Sequence, residues 1–523
     1  MHPRSLLLIA ALLPLAARAE LKLPAIISDH MVLQQKQTNP IWGWDTPGTQ
    51  VTVKFGAQSK SGTADASGKW TVKLDPVPAS ATPATMSITG SSSRSLSDIL
   101  VGEVWLCSGQ SNMGFTVGRT RDADVEMLGC KHPNIRLISV PNVGTQELQN
   151  DFNGQWEACT PESVKEFTAV GFFFGRLLHQ MLDVPVGLID NAWGGSSCEA
   201  WVSRDVLEKD ARFKDMIATW KTKEATYTTE SFAKAQAAHK ARVDAWAQAR
   251  REATKAKKFF NQAPPRPPQD EMKGQHRPGN LYAGCLHPVI GYGIKGAVWY
   301  QGESNASRAY EYSYLFPLMI QHWRDEWKSG DFSFYWVQLA DFKPEVAQPG
   351  DSDWAELRES QTKTQNAIKN GGQAVIIDIG DGKDIHPVNK RDVAERLARW
   401  ALAKDYGIKI MHHSPEFKAA EFNDNKAIVS LDTFGSSLAT FDVSEARGFA
   451  VCGADKKWAW ADAKIIGPDK LEVTSKAVAK PVAVRYAWSD NPVCNLYNKE
   501  GLPVTPFRSD NFEMITKPKP VAK

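Results

Sequence analysis

Between about residues 99 and 406, short and nearly continuous apolar runs alternate with longer stretches in which apolar residues recur every three or four positions. The runs at 99–107, 184–189, 294–300, 334–339 and 374–379 predict strands buried on both faces, because they lack the polar alternation of a half-exposed strand. The stretches at 167–182, 310–327 and 354–370 predict helices. A last helix is marked by Val393, Leu397, Trp400 and Ala401, at spacings of four, three and one. Strand–helix alternation of this kind predicts an α/β fold: a parallel sheet flanked by helices, with ligand chemistry at the C-terminal strand ends.

The flanks read differently. Residues 20–98 hold alternating runs such as Gln50-Val51-Thr52-Val53-Lys54-Phe55 and Lys69-Trp70-Thr71-Val72-Lys73-Leu74, separated by Gly, Ser and Pro. They predict an N-terminal β-sandwich-like domain. Residues 407–523 return to β character, with Lys426-Ala427-Ile428-Val429-Ser430-Leu431 and Lys470-Leu471-Glu472-Val473-Thr474, and predict a C-terminal β domain. Residues 205–275 interrupt the middle domain with an Ala-, Lys- and Glu-rich stretch ending in Pro264-Pro265-Arg266-Pro267-Pro268, read as a polar helical insertion. A chain of 523 residues has room for these parts, since domains run to roughly 100–200 residues each.

The first 19 residues read as a cleavable export signal: Arg4, an apolar run from Leu6 to Leu15, and Ala17-Arg18-Ala19 as the cleavage site. That run is shorter than the roughly 20 residues a membrane helix needs, and no later stretch qualifies, so a soluble periplasmic or extracellular protein is expected. The 62 Lys and Arg against 59 Asp and Glu give +3, or +1 without Arg4 and Arg18. So balanced a chain offers no basic surface for nucleic acid. Seven Cys leave at least one thiol unpaired, and Cys452 and Cys494 are candidates to pair in the C-terminal domain. No Cys/His spacing suggests a metal site.

Four predicted strand ends carry reactive or donor groups. Ser111, in Cys107-Ser108-Gly109-Gln110-Ser111-Asn112-Met113, follows the first strand, and Gly109 permits a tight turn there. A serine hydroxyl becomes a nucleophile only when a base takes its proton. His386, in Asp384-Ile385-His386-Pro387, stands at the same sheet edge and is the candidate base. Asn191-Ala192-Trp193-Gly194-Gly195-Ser196-Ser197 offers backbone N–H groups at its paired glycines. Gln301, in Trp299-Tyr300-Gln301-Gly302-Glu303-Ser304-Asn305, offers a side-chain amide. Donors of this sort stabilise a developing oxyanion.

Together these motifs resemble the sialate O-acetylesterases, a family of the SGNH hydrolase superfamily. The resemblance starts at Ser28-Asp29-His30-Met31-Val32-Leu33-Gln34, passes through Arg277-Pro278-Gly279-Asn280-Leu281-Tyr282, and ends at Pro503-Val504-Thr505-Pro506-Phe507-Arg508. It implies an SGNH-type parallel sheet and a serine esterase that removes acetyl groups from a sialic acid without a metal or organic cofactor. Acetylated xylan is the alternative substrate, and a non-catalytic carbohydrate-binding protein is the alternative class. Ser111 is implied as nucleophile and His386 as base. The Ser111 N–H, Gly194 or Gly195, and Gln301 are implied as the oxyanion hole. The superfamily usually has Asp three residues before the His, where this chain has Lys383. The orienting group is then Asp384, Asp381 or a main-chain carbonyl. Asp384 is favoured because residues two apart in an extended segment point to one side. A sialic acid carries a carboxylate, which a planar Arg suits. Arg119, Arg121 and Arg308 are candidates by position.

Overall fold

The computed structural model describes residues 20–519, so the export signal expected at 1–19 lies outside the described residues. The central sheet is built from β1 (Ser93–Gly109), β2 (His132–Ser139), β3 (Glu157–Cys159), β4 (Val186–Ala192), β5 (Gly296–Tyr300), β6 (Ser333–Val337) and β7 (Gly371–Ala374). Their order across the sheet is β7-β6-β5-β1-β4-β2-β3. All neighbours are parallel except β3, which runs antiparallel to β2. The chain fills one side of β1 first and the other side afterwards. Beside β1 the connections diverge, which opens a crevice at the C-terminal edge of the sheet.

The helices are α1 (Ala123–Leu128), α2 (Ala169–Leu182), α3 (Lys214–Thr226), α4 (Thr229–Lys255), α5 (Ala309–Trp327), α6 (Asp353–Ala367) and α7 (Lys390–Lys404), of which α2, α5, α6 and α7 pack on the sheet. α2, α5, α6 and α7 fall on the stretches where apolar periodicity predicts helices. On α7, Val393, Leu397, Trp400 and Ala401 are all buried. α3 and α4 lie in the insertion. α4 buries no residue along its 27 positions, as its polar composition demands, and a capping box between Thr228 and Ser231 starts it.

The sequence reading needs correction at three places. First, β1 is one 17-residue strand that crosses the change of character at residue 98. Its first half pairs with Ser80–Thr89 of the N-terminal β region and its second half with β4 and β5. Asp98, at φ 54°, bends it between the two roles. Second, the strand expected at 374–379 forms its ladder at Gly371–Ala374. Gly-Gly-Gln has little strand propensity, but a Cβ at Gly372 would lie 2.3 Å from the Trp400 ring, so only glycine fits under α7. Val375 and Ile377 beyond it are buried in the core of the C-terminal sheet. Third, neither the three-residue β3 nor β2 has a counterpart among the expected strands. Arg136 interrupts its apolar pattern, yet this arginine is buried, with its guanidinium donating to the carbonyls of His30, Asp98 and Pro133 and paired with the Asp98 carboxylate.

Before the sheet, strands Gln50–Phe55 and Lys69–Leu74 stand where alternation predicts them. After it, a seven-stranded sheet holds Lys426–Asp432 paired antiparallel with Lys470–Thr474. Arg358 of α6 is fully buried and donates to the carbonyls of Ser489 and Asp490, tying this sheet to the central domain. Cys452 and Cys494 are not brought together. Cys452 lies near Asp510 and Arg485, and Cys494 lies near Tyr486 and Asp378. Among the described residues, no helix is long and apolar enough to cross a membrane.

Candidate active site

Register decides which loops meet. Gly109 at the end of β1 is abreast of Ala192 on β4 and of Tyr300 on β5. The loops bearing Ser111, Gly194 and Gln301 therefore leave the sheet side by side. Gly109 has φ 139°, and a Cβ there would lie 2.2 Å from the Tyr300 carbonyl oxygen. No side chain fits that approach. With glycine in place, the Gln110 N–H donates to the Tyr300 carbonyl (2.9 Å) and the Trp193 N–H to the Gly109 carbonyl (3.0 Å). The chain then turns sharply and presents Ser111.

The loop after β7 brings His386 to it. His386 Nε2 lies 2.7 Å from Ser111 Oγ. On the other side of the ring, Asp384 Oδ1 is 3.4 Å from Nδ1 and accepts the His386 backbone N–H at 2.9 Å. This favours the tautomer with the proton on Nδ1, which leaves Nε2 to accept from the serine hydroxyl. Asp381 does not reach the imidazole; its carboxylate accepts the Lys383 N–H at 2.8 Å within its own turn. Burial lowers the His386 pKa most. Asp384 opposes that shift, and the cations Lys390 and Arg119 reinforce it.

Beneath the pair lies a buried polar network that the sequence reading missed. The Asn112 amide donates to Glu303 Oε1 (2.6 Å) and to the Ile385 carbonyl (3.0 Å), next to His386. Asn112 Oδ1 accepts from Lys390 Nζ at 2.6 Å. Lys390 is 0% exposed, with Nζ 4.8 Å from the Phe115 ring and 5.3 Å from the Tyr300 ring. Burial pushes its pKa down to about 7, with Glu303 opposing, while burial pushes the Glu303 carboxyl up. One side chain thus ties the Ser111 turn to the His386 loop, the Glu303 loop and the start of α7.

The donors divide. The N–H groups of Ser111, Gly194 and Gly195 have no protein partner among the described residues. Gly194 faces the serine, since a Cβ on it would lie 3.5 Å from Ser111 Cβ. Gly195 adopts φ 73°, and its carbonyl is fixed by the Ser304 hydroxyl at 2.8 Å. Gln301 is a correction. Its side chain is fully buried and its amide donates inward, to the Ser196 carbonyl (3.0 Å) and Asn305 Oδ1 (2.7 Å), while Tyr312 donates to its Oε1. Both N–H groups are engaged, so Gln301 braces the glycine loop and has no donor left for an oxyanion.

Arg308 is a second correction. Its guanidinium pairs with Glu199 and with Glu311, so two carboxylates already match its charge. Arg119 is exposed, has no acidic partner among the described residues, and stacks 4.4 Å from Phe115, whose ring faces His386. Arg121 is also exposed, and its backbone N–H donates to the Val388 carbonyl of the His386 loop.

Chemically, a serine hydroxyl on an imidazole beside unspent backbone N–H groups is equipped for acyl transfer through a serine nucleophile. The comparisons agree with that class. A family model described as carbohydrate esterase, sialic acid-specific acetylesterase matches residues 101–257, and one for the sialate O-acetylesterase C-terminal domain matches 420–511. The chain is 29% identical to mouse sialate O-acetylesterase and 28% identical to the human protein. These alignments cover 96% and 92% of this chain, and 96% and 91% of the relatives. A solved carbohydrate acetylesterase from Xanthomonas citri is 36% identical, with TM-score 0.78, covering 94% of this chain and all of that one. The chain belongs to the sialate O-acetylesterase family.

Proposed function

We propose that this chain is a serine esterase of the SGNH type that removes O-acetyl groups from sialic acids and releases acetate. The 2.7 Å contact between Ser111 Oγ and His386 Nε2, at a strand edge with unspent N–H groups, carries the reading. His386 takes the hydroxyl proton as Ser111 attacks the acetyl carbonyl. The N–H groups of Ser111 and Gly194, with Gly195, receive the oxyanion. His386 then returns its proton to the departing sugar hydroxyl, and water hydrolyses the acetyl-enzyme by the same base. Asp384 orients the imidazole. Arg119, with Arg121 beside it, is the cation available to the sugar carboxylate. The leader at residues 1–19 delivers the enzyme outside the cytoplasm, and the β regions at 20–98 and 407–523 flank a catalytic domain at 99–406.

The deciding experiment is a substrate panel. Acetate should be released from O-acetylated sialic acid far faster than from acetylated xylan. The reverse preference would move the substrate to a neutral glycan, and no release from either would remove the esterase reading.

Two further outcomes follow from the geometry. Asp384→Asn should lower kcat by about 10–100-fold, less than for a buried triad carboxylate, because Asp384 is 62% exposed and solvent screens it. Asp381→Asn should leave kcat within about twofold, since it touches no reacting group. Steady-state kinetics of both variants test this assignment, and the opposite ranking would reverse it. The base must be neutral to act, and burial holds His386 below its ordinary value. The acid limb of kcat/KM should therefore have its midpoint below about 6.5, with activity rising as pH rises through it. A midpoint above that value in the pH–rate profile would contradict the burial argument.

A further inference from the structure

A pair of side chains away from the serine is placed for chemistry that ester hydrolysis does not use. Cys130 and Cys159 are each 1% exposed, and their sulfurs lie 3.2 Å apart although 29 positions separate them in sequence. Cys130 follows α1, with its N–H on the Met127 carbonyl. Cys159 ends β3, directly across the ladder from His132. The other cysteines have different neighbours: Cys107 lies by Asp190, Cys198 by the Met319 sulfur, and Cys285 by Val143. A disulfide bond is about 2.05 Å long, so an approach of about 1 Å by the two sulfurs would close it.

We propose that Cys130 and Cys159 are a cross-linking site that forms a disulfide when the chain folds in an oxidising environment. With glutathione disulfide as oxidant, the thiolate of one cysteine attacks a glutathione sulfur, and one glutathione leaves as thiolate. The second cysteine's thiolate then attacks the protein sulfur of the mixed disulfide and expels the other glutathione. The protein gives up two protons and two electrons, and glutathione disulfide becomes two glutathione thiols.

The position explains what the bond would do. α1 has six residues and buries only Glu126, leaving Val125 and Leu128 at 65% and 77% exposure. Packing therefore holds it poorly. Glu126 pairs with Arg176 of α2 and with Arg391, the neighbour of Lys390 on α7. The same stretch of chain carries Arg119 and Arg121. A covalent link at Cys130 would anchor the end of this stretch to β3 and restrict the unfolded chain between the two cysteines.

The test compares full-length protein refolded in a glutathione redox buffer with protein kept in dithiothreitol. Both are denatured, alkylated with iodoacetamide and weighed. The oxidised sample should carry five labels and the reduced sample seven, with one cross-linked peptide pair containing Cys130 and Cys159. The oxidised form should melt a few degrees higher, and a Cys130→Ser/Cys159→Ser variant should show five labels in both buffers and no such difference. Seven labels after oxidation, or a bond between any other pair, would overturn the proposal. Neither result depends on esterase activity.

Discussion

Ser111→Ala is expected to lower acetate release by about 10³-fold or more, His386→Ala by a similar factor, and the double variant by no more than the worse single one. The two side chains share one hydrogen bond of 2.7 Å and act as a unit, so removing either disables both. What survives would come from substrate binding and the unspent N–H groups of Ser111 and Gly194, which neither substitution touches. The fold should persist, because Ser111 is half-buried in a turn set by Gly109 and loses only a hydroxyl. Acetate release and thermal melting of the three variants measure this. Losses that multiply in the double variant would mean that the residues act independently.

Asn112→Ala is expected to damage both stability and turnover. Asn112 is 1% exposed and holds three groups from three different elements: Glu303, the Ile385 carbonyl and Lys390. Alanine would leave the buried Lys390 amine and the half-buried Glu303 carboxyl without the amide that joins them, and the half-buried Ile385 carbonyl without its donor. Leaving such groups without that hydrogen bond costs about 1–3 kcal/mol. The Ile385 bond also fixes the residue before His386. A shift of about 1 Å in a reacting group can cost about 10²-fold, so kcat should fall by that order, with a smaller effect on KM. Denaturant unfolding and steady-state kinetics report the two effects separately. Wild-type kcat in Asn112→Ala would show that this network has no part in aligning the histidine.

Ser111 and His386 were legible because both follow inner strands, and a parallel sheet puts such residues on one edge. The i, i+2 relation depends only on local geometry, and Asp384 lies 3.4 Å from the imidazole while Asp381 bonds within its own turn. What misled was side-chain direction. Gln301 stands in the right loop, but its amide turns inward because Ser196 and Asn305 accept from it. Arg308 lies in the next turn, but Glu199, 109 positions earlier, neutralises it. No local pattern carries either fact. Lys390 shows the converse. A lysine opening an amphipathic helix reads as solvated, and it is buried here only because Asn112 and Glu303 arrive from two other loops. The fold failed to read through at similar places: Arg136 disguised β2, and Gly371 and Gly372 disguised β7.

Whether Ser111 is the nucleophile is decided by treating the protein with a fluorophosphonate, which phosphonylates activated serines, and mapping the adduct by peptide mass spectrometry while following acetate release. A single adduct on Ser111 is expected, with loss of acetate release in step with labelling and no adduct in Ser111→Ala. Complete labelling at another residue, or full acetate release from protein fully modified at Ser111, would contradict it.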